Sequence, residues 1–284
     1  MKMKRTTRHY IILALIALGL YGMYIVIMPV LGLPLYVLLL AYLAVIVVVY
    51  LINRKNTWAV RGNYFYVTGN YVQAKPLLDK AIAAGTKSPA AHTYRALLHL
   101  KEDKDAAAAY ALLDKAAALS GSVMDERNRI TALASCHWLD GRIDDGINVL
   151  EDMRASHEYI NAGVLTTLGY LYLTKGDFDK AIEITQLAMA DDPEYGAAWD
   201  NMGQIHYKMG DVSAAKENFR TALAKKENLA DSNYFLGLIA EADEDSAVAA
   251  DHFRRAHICT IGLFNTATPQ QIEQKYMQYH SEEQ

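Results

Sequence analysis

Residues 162–195 read AGVLTTLGYLYLTKGDFDKAIEITQLAMADDPEY and contain two groups of small and apolar residues separated by a polar turn. In the first group, Leu165, Leu168 and Tyr172 are spaced by three and four residues, so they share one face of a helix. The Gly-Asp turn at 176–177 is so short that it must fold a second helix back against the first. The stretch therefore predicts an antiparallel helical hairpin.

The same pattern recurs at a step of 34 residues in three consecutive units. Small residues hold the same three offsets in each unit: Gly169, Ala181 and Ala188, then Gly203, Ala215 and Ala222, then Gly237, Ala249 and Ala256. One hairpin cannot bury its own apolar face, so successive hairpins must stack. An irregular helical bundle, the alternative, would not keep a constant step.

This periodicity resembles the tetratricopeptide repeat family, and the resemblance extends over about residues 55–263. It implies an all-α fold, a right-handed α-solenoid of about six helix-turn-helix repeats with a C-terminal capping helix. The repeats are expected at about 55–88, 89–126, 127–161, 162–195, 196–229 and 230–263, and the capping helix at about 268–280. The second repeat is degenerate, because the charged run 101–104 replaces its glycine turn, and the register of its first helix stays open.

Charge is distributed unevenly along the chain. Residues 1–61 contain seven of the 28 lysines and arginines and none of the 32 acidic residues, so residues 62–284 carry a net charge of −11. Nucleic-acid binding needs a basic surface that neutralises phosphates. The acidic repeat region therefore argues against a nucleic-acid partner.

No Lys, Arg, Asp or Glu occurs between Arg8 and Arg54, which is longer than the roughly 20 apolar residues of one membrane span. Pro29, Gly32 and Pro34 interrupt this segment and are poor helix-interior residues. We predict a transmembrane helical hairpin with spans at about 10–28 and 35–52. Residues 1–54 would be a membrane anchor that contacts the lipid bilayer, and residues 55–284 the repeat domain.

A cleaved signal peptide is the alternative for the first apolar run, but a second apolar run follows it at once. Four basic residues precede the first span, three follow the second by Arg61, and the connecting turn has none. The positive-inside rule then places both termini in the cytoplasm. We expect an integral protein of a bacterial cytoplasmic membrane.

The sequence offers no recognisable catalytic, cofactor or metal site. None of the nine histidines lies in an HExxH motif, and Cys136 and Cys259 are far apart within helical patterns. His137 and His206 occupy an offset that faces a neighbouring helix, so we interpret them as packed structural residues. We predict no enzymatic activity, no cofactor and no small-molecule substrate.

The family resemblance implies that the first helix of each repeat lines the concave face of the solenoid. Transferred to this chain, the exposed concave positions are Asn63, Tyr66, Asn128, Thr131, Ser135, Trp138, Thr166, Thr167, Tyr170, Asp200, Asn201, Gln204, Tyr207 and Tyr234. Amides, hydroxyls and aromatic rings suit an extended peptide, because they bond its backbone and stack on its side chains. Solvated helix faces with no partner are the alternative for any single position.

We therefore predict a non-enzymatic, membrane-anchored scaffold whose concave groove recruits a partner protein at the cytoplasmic face of the membrane. These concave positions almost lack basic residues, Lys208 being the nearest, and Asp200 adds negative charge, so a neutral or basic partner segment is expected. The alternative is a structural accessory subunit whose two spans dock into an integral membrane complex for secretion or envelope assembly. Removal of residues 1–53 discriminates between the two, because only a docking subunit would lose its partner.

Overall fold

The computed structural model describes residues 35–156 and 160–280, together with positions 18, 19, 21, 22 and 25. Apart from those five positions, the predicted first span at 10–28 lies outside the described residues. Within the described ranges the chain forms thirteen α-helices, one π-helical turn and no strand. The prediction of an all-α solenoid is confirmed.

The helices follow one another with short connections. They are α1 (Leu35–Val67), α2 (Tyr71–Ala83), α3 (Pro89–Leu98), α4 (Ala106–Ala117), α5 (Val123–Leu139), α6 (Ile143–Ala155), α7 (Ala162–Lys175), α8 (Phe178–Asp191), α9 (Gly196–Met209), α10 (Val212–Lys225), α11 (Ala230–Ala242), α12 (Ser246–Ile258) and α13 (Pro269–His280). Each odd-numbered helix up to α11 packs most extensively on the helix that follows it, and each odd-numbered helix up to α9 also packs on the next odd-numbered helix. The odd-numbered helices therefore form one continuous inner layer.

Close helix contacts occur at the predicted glycines. A Cβ atom on Gly203 or Gly237 would lie 2.6 Å from a ring carbon of Phe219 or Phe253, and one on Gly169 would lie 2.6 Å from Oγ1 of Thr185. Phe219 and Phe253 are fully buried, so an aromatic ring fills the space that each glycine leaves. The 34-residue step thus repeats one contact between the two helices of a hairpin, in which a glycine of the first helix faces a side chain of the second.

Capping interactions fix the turns inside the hairpins. Asp177, Asp211 and Asp245 each accept a hydrogen bond from the backbone N–H three residues later, at the start of α8, α10 and α12. Gly176 and Gly210 end α7 and α9 with φ of 87° and 85°, a left-handed conformation that glycine adopts without steric cost.

Two repeats depart from the expected pattern. In the second repeat, α3 continues into a π-helical turn, His99–Asp103. Lys104 then adopts the left-handed conformation, with a φ of 52°, that glycine adopts in the turns of other repeats. In the third, α5 begins at Val123, upstream of the expected start at 127. A capping box stabilises this earlier start, because Ser122 and Asp125 bond each other's backbone N–H.

The first half of α1 is apolar and exposed. Tyr36, Leu40, Leu43 and Tyr50 are all more than half exposed, and α1 changes direction by 53° between Leu39–Leu51 and Asn53–Val67. In the part of the chain that the structure describes, no single helix is long and apolar enough to cross a membrane. The two parts of α1, Leu39–Leu51 and Asn53–Val67, are together long and apolar enough to cross one, by length and composition. A second span at 35–52 therefore stays a prediction.

The chain does not leave the solenoid after α12. Residues 260–267, which we call the inner segment, run along the inner layer before α13 begins. Helix α13 then packs on α12, where the rings of His257 and Tyr276 stack at 4.1 Å and Lys275 pairs with Glu241 of α11. The last helix thus covers the apolar end of the repeat stack.

Candidate partner-binding groove

The predicted concave positions lie on five helices of the inner layer, α1, α5, α7, α9 and α11. Helix α3 adds Tyr94, whose ring stacks on Tyr66 at 4.5 Å and whose hydroxyl accepts a hydrogen bond of 3.4 Å from Nδ2 of Asn128. Tyr94 was not predicted, because the sequence leaves the register of the first helix of the second repeat unassigned. The 34-residue step from Asn128 back to Tyr94 is the signal that would have identified it.

The N-terminal part of the groove is open. A cavity of about 320 Å³ is lined there by side chains of α1, α3, α5 and α7, among them Tyr66, Tyr94, Arg127, Asn128 and Thr131. Thr131 bonds only within its own helix, through Oγ1 to the carbonyl of Arg127 at 2.9 Å. Two aromatic rings, an amide and a guanidinium thus line one open surface, which we call the open part of the groove.

The inner segment fills the C-terminal part of the groove. The carboxylate of Asp231 accepts the backbone N–H of Thr266 at 2.8 Å and that of Ala267 at 2.9 Å. The Thr266 hydroxyl donates to Oε1 of Gln204 at 2.5 Å. Two backbone donors and one side-chain donor therefore attach the segment to α9 and α11.

Buried polar groups surround this attachment. Nε2 of Gln204 donates to Asp200 at 2.8 Å and to Asp231 at 3.2 Å, and the Ser232 hydroxyl also donates to Asp200. Burial, together with the neighbouring charge of Asp231, raises the pKa of Asp200 to about 7. Burial also raises the pKa of Asp231, against the opposing effect of the N–H groups that it accepts.

Aromatic side chains contact the middle of the inner segment, at Phe264. The ring of Phe264 lies 5.1 Å from that of Trp138 and 5.3 Å from that of Tyr170, and these two rings are 6.0 Å apart. Leu263 packs against the apolar cluster of the second and third repeats. Adjacent apolar side chains of the segment therefore reach two different repeats.

The structure corrects the exposure expected for the concave positions. None of the fourteen is exposed, because the inner helices pack side by side and the inner segment covers their C-terminal half. The eight buried positions are Ser135, Thr166, Thr167, Tyr170, Asp200, Asn201, Gln204 and Tyr234, and the six half-buried ones are Asn63, Tyr66, Asn128, Thr131, Trp138 and Tyr207. Their role in partner binding stays a prediction.

Basic residues also lie in the groove, although none of the fourteen predicted positions is basic. Arg127 lines the open part, and Lys101 and Lys226 line cavities on either side of the inner segment. Lys101 lies 4.1 Å from the ring centroid of Tyr71, and burial lowers its pKa. The offsets of the first helices could not reveal Lys101 and Lys226, because Lys101 lies in the π-helical turn and Lys226 lies between α10 and α11.

Metal-binding groups do not come together in the described residues. No three His, Cys, Asp or Glu side chains there are placed to hold a metal ion. Both cysteines are free, and burial raises the pKa of Cys136 to about 12, so its thiol stays protonated and unreactive. What the geometry offers is a binding surface.

Fold and groove together define a helical-repeat protein with an elongated concave surface. Two family models described as "Tetratricopeptide repeat" match residues 60–123 and 201–260, and residues 162–191, which is more than half of the 284-residue chain. The chain belongs to the tetratricopeptide repeat family.

Two curated relatives share part of this chain. TPR repeat-containing protein PA0015 of Pseudomonas aeruginosa is 34% identical over 64 residues, which is 22% of this chain and 61% of the relative. Superkiller complex protein 3 of Mus musculus is 27% identical over 146 residues, 48% of this chain. The chain spans only 9% of the mouse protein's length, and less than two thirds of either relative.

Two solved structures share the fold at low identity. PilW, described as a widely conserved type IV pilus biogenesis factor, aligns with a TM-score of 0.53 at 19% identity over 71% of this chain and 91% of its own. Pseudomonas aeruginosa pilF aligns with a TM-score of 0.51 at 18% identity over 80% of this chain and 97% of its own. At this identity the likeness concerns the fold alone.

Proposed function

We propose that this protein is a non-enzymatic, membrane-anchored scaffold whose concave groove recruits a partner protein at the cytoplasmic face of the membrane. The open part of the groove carries the proposal. Tyr66, Tyr94 and Asn128 form a connected row there, and they line a cavity large enough for one or two side chains of a partner. Aromatic rings beside amides and hydroxyls are well suited to an extended peptide.

The membrane part of the proposal rests on the apolar half of α1. A helix that is apolar on all sides is stable when it is buried in protein or in lipid. Large apolar side chains such as Leu40 and Leu43 are exposed in this structure, so lipid would supply the missing contacts. Arg54, Lys55 and Arg61 follow directly, at the position expected for the cytoplasmic interface.

The second candidate is an accessory subunit that docks into an integral membrane complex. A second apolar surface favours it, because Val60, Tyr64 and Val67 lie one helical turn apart on α1 and are each more than 60% exposed. PilW, a pilus biogenesis factor, has the same fold. In this candidate the repeats form a structural arm and α1 is the docking element.

Site-specific photocrosslinking in intact cells tests the two candidates. A benzoylphenylalanine residue would replace Thr131 in the open part of the groove, Tyr64 on the apolar face of α1, or Leu187 on α8 as a control. Leu187 is 44% exposed and belongs to the outer helix layer. A recruiting scaffold crosslinks to its partner from position 131 and not from 187. Crosslinks to an integral membrane protein from position 64, without any from position 131, would favour the accessory subunit over the recruiting scaffold.

A further inference from the structure

We propose that the groove selects a neutral, extended partner segment with two adjacent large apolar residues followed, two positions later, by a small hydroxyl residue. The inner segment would be an intramolecular copy of this ligand, which the partner displaces. This inference rests on the proposed function, since it names the chemistry of the partner that the same groove binds. Four features of the inner segment carry it.

The first feature is main-chain recognition. The Asp231 carboxylate accepts two consecutive backbone N–H groups, from Thr266 and Ala267. Hydrogen bonds to an ionised acceptor are stronger than neutral ones, and backbone donors occur in every peptide. Asp231 can therefore hold the backbone of another extended chain that follows the same path.

The second feature is side-chain selection. Phe264 packs against the rings of both Trp138 and Tyr170, and Leu263 contacts a neighbouring apolar cluster. The Thr266 hydroxyl donates to Gln204 and lies 3.3 Å from the Tyr170 hydroxyl. The groove thus distinguishes a Leu-Phe pair and a hydroxyl at fixed spacing, which is the pattern Leu-Phe-Asn-Thr.

The third feature is incomplete filling. Ala267 is the one buried residue among positions 260–267, whereas Thr260 and Gly262 are exposed and the other five are half-buried. Cavities of about 240 Å³ and 220 Å³ remain on the two sides of the segment. Both cavities are open to solvent, so the inner segment leaves part of the groove wall uncovered. A partner with larger side chains would fill this space and gain contacts that the inner segment lacks.

The fourth feature is charge. The inner segment carries no charged side chain. Asp200, Asp231 and Lys226 line the cavity on one side of it, and Lys101 lines the cavity on the other. A charged ligand would meet a like charge on one side or the other, so a neutral segment suits this mixed surface.

The tether explains why a weak internal ligand occupies the groove. The inner segment is itself most of the connection between α12 and α13, so both of its ends are fixed and its local concentration at the groove is in the millimolar range. A partner segment in solution must compete with that concentration. Weakening the inner segment, with the groove unchanged, should therefore increase binding of an external ligand.

The experiment uses the full chain in detergent and a fluorescent peptide with the sequence of residues 260–269, TIGLFNTATP. The opened variant combines Leu263→Ser with Phe264→Ser, and both changes lie outside the groove wall. Leu187→Ser is the matched control, an apolar-to-serine change on the outer layer. A peptide in which serine replaces phenylalanine, TIGLSNTATP, tests selectivity. Circular dichroism checks that each variant folds.

The opened variant should bind TIGLFNTATP at least tenfold more tightly than the unmodified chain and the Leu187→Ser control do. The serine peptide should bind at least tenfold more weakly, and Asp231→Asn in the opened variant should weaken binding of the first peptide. A folded opened variant that binds neither peptide, or both equally, would overturn the proposal. So would dimers of the unmodified chain that the peptide dissociates, because the ligand would then be a second copy.

A second measurement applies if the opened variant does not fold. In the unmodified chain, the amides of Thr266 and Ala267 should exchange hydrogen at least a hundredfold faster than the core amides Ala215 and Ala249, since the segment must leave the groove without global unfolding. Equal exchange rates would overturn the proposal. Peptide binding without any partner crosslink from position 131 would leave the groove selectivity in place and contradict the proposed recruiting function.

Discussion

A Cβ atom on Gly203 would lie 2.6 Å from Cδ1 of Phe219. Non-bonded contacts of a Cβ atom in folded proteins are essentially never shorter than 3.0 Å. A Cβ atom on Gly237 would lie at the same distance of 2.6 Å from Cε1 of Phe253, one repeat later. The pairing explains why the 34-residue step keeps a glycine in the first helix. A fully buried ring on the second helix needs the space that a larger residue would occupy.

Gly203→Leu should therefore destabilise the repeats. Overpacking a well-filled site costs about 1–3 kcal/mol, and repeats couple mainly to their neighbours, so the loss should concentrate in α7–α12. Hydrogen exchange of those helices measures it. Gly163→Ala is the control, because a Cβ there would lie 3.5 Å from the Tyr195 hydroxyl and 3.6 Å from Oδ1 of Asn161, which are ordinary contacts. Uniform exchange in the Gly203→Leu chain would contradict the assigned packing.

Stability should depend on pH through Asp200. Its pKa is raised to about 7 in the folded chain from an ordinary value of 3.8, so folding favours the protonated carboxyl. That stabilisation is fully present below about pH 4 and is lost as the pH rises through about 7. From about pH 4 to about pH 7 the unmodified chain should lose stability relative to Asp200→Asn, and the loss should level off above about pH 7. Melting temperatures across this range measure the difference, and parallel curves would contradict it.

The inner segment should be energetically coupled to the groove wall through Trp138 and Phe264. Their rings lie 5.1 Å apart, and aromatic pairs contribute about 0.5–1.5 kcal/mol beyond area burial. A double-mutant cycle with Trp138→Leu and Phe264→Leu should return a coupling of that size. Trp58, which packs in the first-repeat cluster, provides the control cycle with Phe264 and should show no coupling. Equal coupling in both cycles would contradict the described contact.

The sequence predicted the periodic part of this molecule because each repeat encodes the same local contact. Gly203 and Phe219 are close in the chain, and their spacing alone identifies the hairpin. The inner segment has no periodicity, and its place in the groove depends on Asp231 and Trp138, which belong to different repeats. The capping box at Ser122 and the π-helical turn at His99–Asp103 were also missed, since both replace a regular repeat feature by local hydrogen bonds.

For the concave positions too, local spacing predicted which helix face they occupy but not whether that face is covered. Family offsets placed Gln204, Asn201 and Tyr170 on the inner layer, where the structure has them, because a helical face follows from spacing. Exposure depends on what covers that face. The sequence contains no local signal that residues 260–267 return to it, so burial of Gln204 could not be derived in advance.

The proposed anchor predicts membrane behaviour that depends on residues 1–53. The full chain should remain in the membrane fraction after alkaline carbonate extraction, and a chain lacking 1–53 should not. Protease added to intact spheroplasts should leave the repeats undigested, because the basic residues that flank the apolar region favour cytoplasmic termini. Digestion of the repeats without lysis would reverse the proposed orientation.

The most direct measurement of partner recruitment is the affinity of the full chain for the partner segment identified by crosslinking from position 131. Asn128→Ala with Thr131→Ala removes two polar groups from the open part of the groove. Asn218→Ala with Thr221→Ala makes the same two changes at the same spacing on α10, in the outer layer. We predict at least tenfold weaker binding, about 1.4 kcal/mol, for the groove pair and unchanged binding for the outer pair. Equal affinities for the two variants would contradict a partner site in the concave groove.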